Sequence, residues 1–140
     1  MTATVLPTGT IETATTRRPL LKAGARTGAV AAVATTAVAA VARAVDIPLD
    51  IEGEAIPLLG FAQMTLLWTA VGVVIAWACR RRASNARQTF VRITLALTAL
   101  SFIPDVTAQT GTATKATLML THIVAAAIVI PALTRRLNER

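Results

Sequence analysis

The chain has 140 residues, of which 54% are hydrophobic and only 15% charged, with a net charge of +7. A soluble domain carries about 25% charged residues, and so short a chain builds no core able to bury several helices that are apolar all round; the membrane is the simpler solvent. The positive charge is not a nucleic-acid footprint, because the arginines stand in short clusters between apolar runs with no aromatic residues interleaved and no Tyr anywhere.

Residues 1–16 are Thr-rich, hold Pro7 and Gly9, and lack an apolar period. They read as a disordered cytoplasmic tail, which extends through the basic group Arg17, Arg18 and Lys22 to give a tail of residues 1–22, with Arg26 just beyond it. A transmembrane domain of residues 23–137 follows. Its first helix is predicted over about 27–45, close to the ~20 residues that cross a hydrocarbon core. Arg43 near its far end is placed to snorkel. The polar loop Asp46–Ile56 carries Asp46, Asp50, Glu52 and Glu54, broken by Pro48 and Gly53. Helix two is predicted over 57–79, without a charge, with Trp77 at headgroup level. Arg80, Arg81, Arg82, Arg87 and Arg92 fill the next connection. Helix three is predicted over 90–106 and is the shortest apolar run, flanked by Arg92 and Asp105. After a polar turn at Gly111, helix four is predicted over 115–134, with Pro131 bending it.

The charges alternate from side to side. All but two of the 14 basic residues, Arg43 and Lys115, fall in the N-terminal tail, the second connection and the C-terminal tail. Five of the seven acids, Asp46, Asp50, Glu52, Glu54 and Asp105, fall in the first and third connections. Lys and Arg in short loops are retained in the cytoplasm. The expected fold is therefore an all-α, up-down, four-helix transmembrane bundle with both termini inside, in the bacterial cytoplasmic membrane. The lipid bilayer is the expected partner, with a homo-oligomer or a membrane-protein complex beside it, and no nucleic acid. A competing reading takes Thr16-Arg17-Arg18-Pro19-Leu20-Leu21-Lys22 as a twin-arginine export signal cleaved near Ala42-Arg43-Ala44. Arg43 inside that motif is unfavourable and three more spans follow at once, so a retained anchor is simpler.

Few residues are candidates for chemistry. His122 is the only histidine. At 1.5 Å per residue it lies roughly 10 Å below the outer surface, where an ionisable group marks a candidate functional site. Gln63 has a similar depth on helix two. Thr94, Thr98, Ser101 and Asp105 share one face of helix three by their spacing. Gln63, Ser101, Asp105 and His122 thus form a candidate polar intramembrane cluster, and imidazole is the side chain that changes charge near neutral pH. The alternative is interhelical hydrogen bonding, worth only about 0.6 kcal/mol on average. Ser101, His122 and Asp105 can be written as a triad, but nothing suggests an oxyanion hole. There is no phosphate loop, no HExxH and no Cys/His cluster, so neither enzyme, cofactor nor metal is expected. Cys79 is a lone cysteine of small-residue character. Gly24-xxx-Gly28 and Gly72-xxx-Ala76 favour close helix packing.

The segments IPLLGFAQMTLLWTAVGVVIAW (56–77), FVRITLALTALSFIPDV (90–106) and TLMLTHIVAAAIVIPAL (117–133) resemble a family of small uncharacterised actinobacterial membrane proteins. The strings TALSFIPD and THIVAAAIVIP carry most of the likeness, while helix one and the tail match only in character. The resemblance implies a four-span inner-membrane protein of this length. It implies no activity, ligand or catalytic residue.

Overall fold

The computed structural model describes the backbone of residues 9–138 and the side chains of residues 19–137. Residues 1–8, Glu139, Arg140 and the side chains of Glu12, Arg17 and Arg18 lie outside the described residues. Within them stand four helices, α1 (Gly9–Ala44), α2 (Leu58–Arg82), α3 (Ala86–Thr107) and α4 (Thr112–Asn138). A short antiparallel hairpin, β1 (Asp50–Ile51) and β2 (Glu54–Ala55), joins α1 to α2. Each helix contains a stretch long and apolar enough to cross a membrane, namely Pro19–Ala44, Leu58–Arg82, Ala86–Thr107 and Thr112–Leu137. The four-helix bundle expected from the apolar runs is therefore present.

The helices are longer than expected, and the difference lies chiefly on the basic side. α1 is helical from Gly9, so the expected disordered tail is helical from there and the basic group continues the helix. Leu, Lys, Arg and Ala between residues 20 and 26 are strong helix formers. Arg80, Arg81 and Arg82 form the last turn of α2, and Arg135 and Arg136 that of α4. Cations there face the negative end of the helix dipole. The second connection shrinks to residues 83–85, where Asn85 caps α3 by accepting from the Gln88 amide at 3.2 Å.

The opposite end is built from turns. α1 stops in a Schellman motif: the Ile47 amide donates to the Ala42 carbonyl at 3.0 Å and the Asp46 amide to Arg43 at 3.1 Å. Asp46 takes the left-handed conformation this requires, with φ 59°. The hairpin turns through Glu52 (φ 54°) and Gly53 (φ 83°), the two positive values of the turn that suits the strand twist. The hairpin is bound to the third connection. The Glu52 amide donates to the Gln109 carbonyl at 3.3 Å, and the Thr114 hydroxyl donates to the Pro48 carbonyl.

α1 packs against α2 and α4, and α3 against α4 and α2, leaving α1 and α3 diagonal. α1 is the most buried span and α3 the least. Gly24 and Gly28 bring α1 against α2: a methyl at Gly24 would collide with the Val73 side chain, and one at Gly28 would meet Thr69 Cγ2 at 3.1 Å. Gly72 faces Leu133 of α4. Two apolar clusters fill the ends of the bundle. Leu20, Val73, Ala76, Cys79, Phe90 and Leu133 pack at the basic end; Ala39, Ala42, Leu49, Phe61 and Leu118 pack at the acidic end. Cys79 is a buried packing residue, as its small size suggests.

Candidate functional site

The site sits where α3 and α4 meet near the acidic end. α4 presents two different faces there. Thr114, Thr117, Leu118 and Thr121 are buried, and their i, i+3, i+4, i+7 spacing makes them one face. Leu118 belongs to the cluster that includes Ala39 and Ala42 of α1. Lys115 and His122, seven residues apart, share another face, and both reach α3. The Lys115 ammonium donates to the Val106 carbonyl at 2.7 Å, satisfying an acceptor that the end of α3 leaves open. His122 Nδ1 lies 2.9 Å from Asp105 Oδ2. Asp105 is buried, with 9% of its side chain exposed, whereas His122 retains 37%. The carboxylate is enclosed and the imidazole forms its exposed side. The Phe102 ring, one turn before Asp105, meets the imidazole edge-on with centroids 6.3 Å apart.

The two partners of this contact lie at different distances from their helix ends. His122 is ten residues from the start of α4 at Thr112, about 15 Å at 1.5 Å per residue. Asp105 is only two residues from the end of α3 at Thr107, so the imidazole reaches toward the start of its own helix to meet it.

Of the four candidate residues, the structure unites Asp105 and His122. Ser101 lies on the same face of α3, yet its hydroxyl donates to the Thr98 carbonyl at 2.7 Å. Thr94 and Thr98 likewise donate to Phe90 and Thr94 carbonyls at 2.8 and 2.9 Å. The polar face read from their spacing exists, but its three hydroxyls are satisfied along their own helix and Asp105 is its one member that reaches across to α4. Gln63 is not part of the cluster. The inward face of α2 runs through Phe61, Thr69, Gly72, Val73 and Ala76; Gln63 instead stands among the exposed Leu59, Met64 and Leu67. The rotation of α2 was not legible in sequence, because a helix that is apolar all round offers no stripe to orient it.

Two features escaped the sequence reading. Thr35 of α1 and Thr65 of α2 share a hydrogen bond of 2.9 Å across the bundle, and both residues were lost among many threonines. The Arg81 guanidinium stacks 4.6 Å from the centre of the Trp77 ring. The i, i+4 spacing of an aromatic and a cation was the available signal. Among the described residues no group of three His, Cys, Asp or Glu side chains is placed to hold a metal.

Four apolar helices of spanning length, with one Asp–His pair between α3 and α4, form a helical bundle compatible with a membrane protein. The chain belongs to a family of unknown function, DUF6069, whose model matches residues 15–139. The match extends beyond the three segments that carry the likeness in sequence and takes in α1 as well. No curated protein and no solved structure matches the chain.

Proposed function

We propose that the protein is a multi-pass cell-membrane protein, with both termini in the cytoplasm, that acts by association with a second copy or a partner membrane protein rather than by catalysis. The observation that carries this is Gln63. It is an exposed amide with no hydrogen-bond partner among the described residues, set one turn from Leu59 and from Leu67 on the outward face of α2. An amide without a partner is costly in hydrocarbon, and a bond to a neighbouring helix relieves it. The large exposed side chains of α3, including Leu95, Leu100, Ile103 and Val106, suit lipid and not water. Arginine clusters at one end and carboxylates at the other support the orientation through retention of Lys and Arg in the cytoplasm. The packing of α1, the most buried span, favours a retained helix over a cleaved export signal. A non-catalytic role is supported by Ser101, whose hydroxyl is engaged with its own helix and not with His122.

The test is native mass spectrometry of the full chain in detergent. Association through α2 predicts oligomers that Gln63→Leu converts to monomers with helix content unchanged. A strictly monomeric wild-type chain that also captures no membrane partner refutes the proposal. Reporter tags on the two ends that report opposite compartments refute the orientation.

A second reading rests on the Asp105–His122 pair. A small transporter or channel subunit would use such a pair as a polar site near the outer leaflet. Four helices enclose no wide pore, so this reading also requires an oligomer. It is separated from the first by His122→Asn, which abolishes transport under this reading and leaves association intact under the first.

A further inference from the structure

We propose that a groove between the start of α3 and the end of α4 is a site for the phosphate headgroup of an anionic phospholipid in the leaflet on the basic side. The proposal rests on the reading of the four helices as membrane spans. The groove is open to the outside, has a volume of about 280 Å³ and is lined by Arg87 and Val91 of α3 and by Ile130, Pro131, Thr134 and Arg135 of α4.

Three observations define its occupant. The first is charge. Arg87 and Arg135 stand far apart in the chain but line one cavity, both side chains are exposed, and neither has a hydrogen bond or ion pair among the described residues. Every carboxylate among the described side chains, Asp46, Asp50, Glu52, Glu54 and Asp105, belongs to the opposite end of the bundle. None of the described side chains supplies a counter-charge to these two arginines, and a guanidinium binds phosphate oxygens in bidentate fashion.

The second is the order of the lining along the membrane normal. Arg87 lies in the first turn of α3 and Arg135 in the last turn of α4, so both mark the rim. Val91 lies four residues deeper than Arg87, and Ile130 and Pro131 lie four or five deeper than Arg135, about 6 Å at 1.5 Å per residue. A charged rim over an apolar floor reproduces the head and chain of a phospholipid. Basic pockets between transmembrane helices on the cytoplasmic side take such headgroups.

The third is the supply of donors. Thr134 is buried, with its hydroxyl donated to Ile130 at 2.6 Å, and Pro131 cannot donate a backbone hydrogen bond. The floor therefore offers the occupant no competing donor, and the binding contacts are concentrated in the two arginines.

The experiment uses the full chain in detergent, with native mass spectrometry reading the retention of phosphatidylglycerol against phosphatidylcholine of the same acyl chains. Inorganic phosphate is tested alone in parallel. Wild type should retain phosphatidylglycerol selectively. Arg87→Gln/Arg135→Gln should weaken that retention roughly tenfold or more. Arg82→Gln/Arg92→Gln removes equal charge from exposed arginines outside the groove and should leave retention unchanged. Equal loss in both double variants, or equal retention of the two lipids by wild type, overturns the proposal. So does displacement of the lipid by inorganic phosphate at matched concentration, which makes the occupant a free anion. If the first double variant loses its helical circular dichroism, the two single substitutions carry the same comparison. Extraction of membranes with carbonate separates the failures: a chain that stays in the pellet but lacks lipid selectivity sinks this site alone, whereas a chain released into solution sinks the membrane reading itself.

Discussion

Gly24 is the position where the packing of α1 on α2 is most exposed to test. A methyl group there would overlap the Cγ2 of Val73, a β-branched side chain that is itself buried among Leu20, Ala76 and Cys79. Val73 has one strongly preferred χ1 rotamer in a helix and cannot swing aside. Overpacking of this kind costs about 1–3 kcal/mol. Replacing a helical glycine by alanine contributes about 1 kcal/mol in the opposite direction. Gly24→Ala should therefore lie between neutral and about 2 kcal/mol destabilising. In a Val73→Ala background the colliding methyl is gone, and the same substitution should become stabilising by about 1 kcal/mol. The coupling across the cycle is then about 1–3 kcal/mol. Unfolding in mixed micelles by titration with SDS, followed by far-UV circular dichroism and by Trp68 and Trp77 fluorescence, measures all four variants. Gly28→Ala serves as a graded control, because its methyl would only press on Thr69 Cγ2 at 3.1 Å. If Gly24→Ala stabilises the protein equally in both backgrounds, α1 does not approach α2 at this point and the assignment of the interface is wrong.

The same titration applies to the α3–α4 contact. Asp105→Asn and His122→Asn should each destabilise by about 0.5–2 kcal/mol, and the double variant should be less destabilised than their sum; full additivity would mean the pair is not formed. Asp46→Gly should stabilise by about 0.5–1 kcal/mol, since glycine takes the left-handed position after α1 without strain, and a loss of stability would argue against the Schellman ending. Cys79, buried at the basic end, should react with a maleimide slowly in the folded micellar protein and completely in SDS. Equal rates in the two states would show that the cluster around it is open.

The helices were legible because their apolar runs exceed anything a 140-residue soluble chain can bury. The ends were less so. Arg80–Arg82 were read as the start of a loop, since charge marks the edge of hydrocarbon, but a helix continues past that edge when its C-terminal turn welcomes cations. The hairpin at residues 50–55 was invisible because strands of two residues show no alternation to detect. In the candidate site, the spacing from Thr94 to Asp105 marked one face of α3 correctly, and the depth of His122 pointed to Asp105. Gln63 failed for the opposite reason: depth follows from counting residues, whereas rotation follows only from a contrast between faces, which α2 lacks. The groove at Arg87 and Arg135 was unreadable because it joins the start of one helix to the end of the next, and a run of arginines in sequence gives no sign of which two line one groove.

The threonine hydroxyls alter how apolar the four long helices are. Thr27, Thr65, Thr69, Thr94, Thr98, Thr117, Thr121 and Thr134 each pass their proton to a carbonyl three or four residues back in the same helix. What each side chain then presents to its neighbours is a methyl group on a branched carbon, close in shape to valine, which at Thr69, Thr94, Thr117, Thr121 and Thr134 packs inside the bundle. A residue-by-residue hydropathy scale treats these positions as polar, yet their polarity has been folded inward. The spans are greasier than their letters suggest, and the extra acceptor load on the backbone carbonyls gives each helix a built-in tendency to curve.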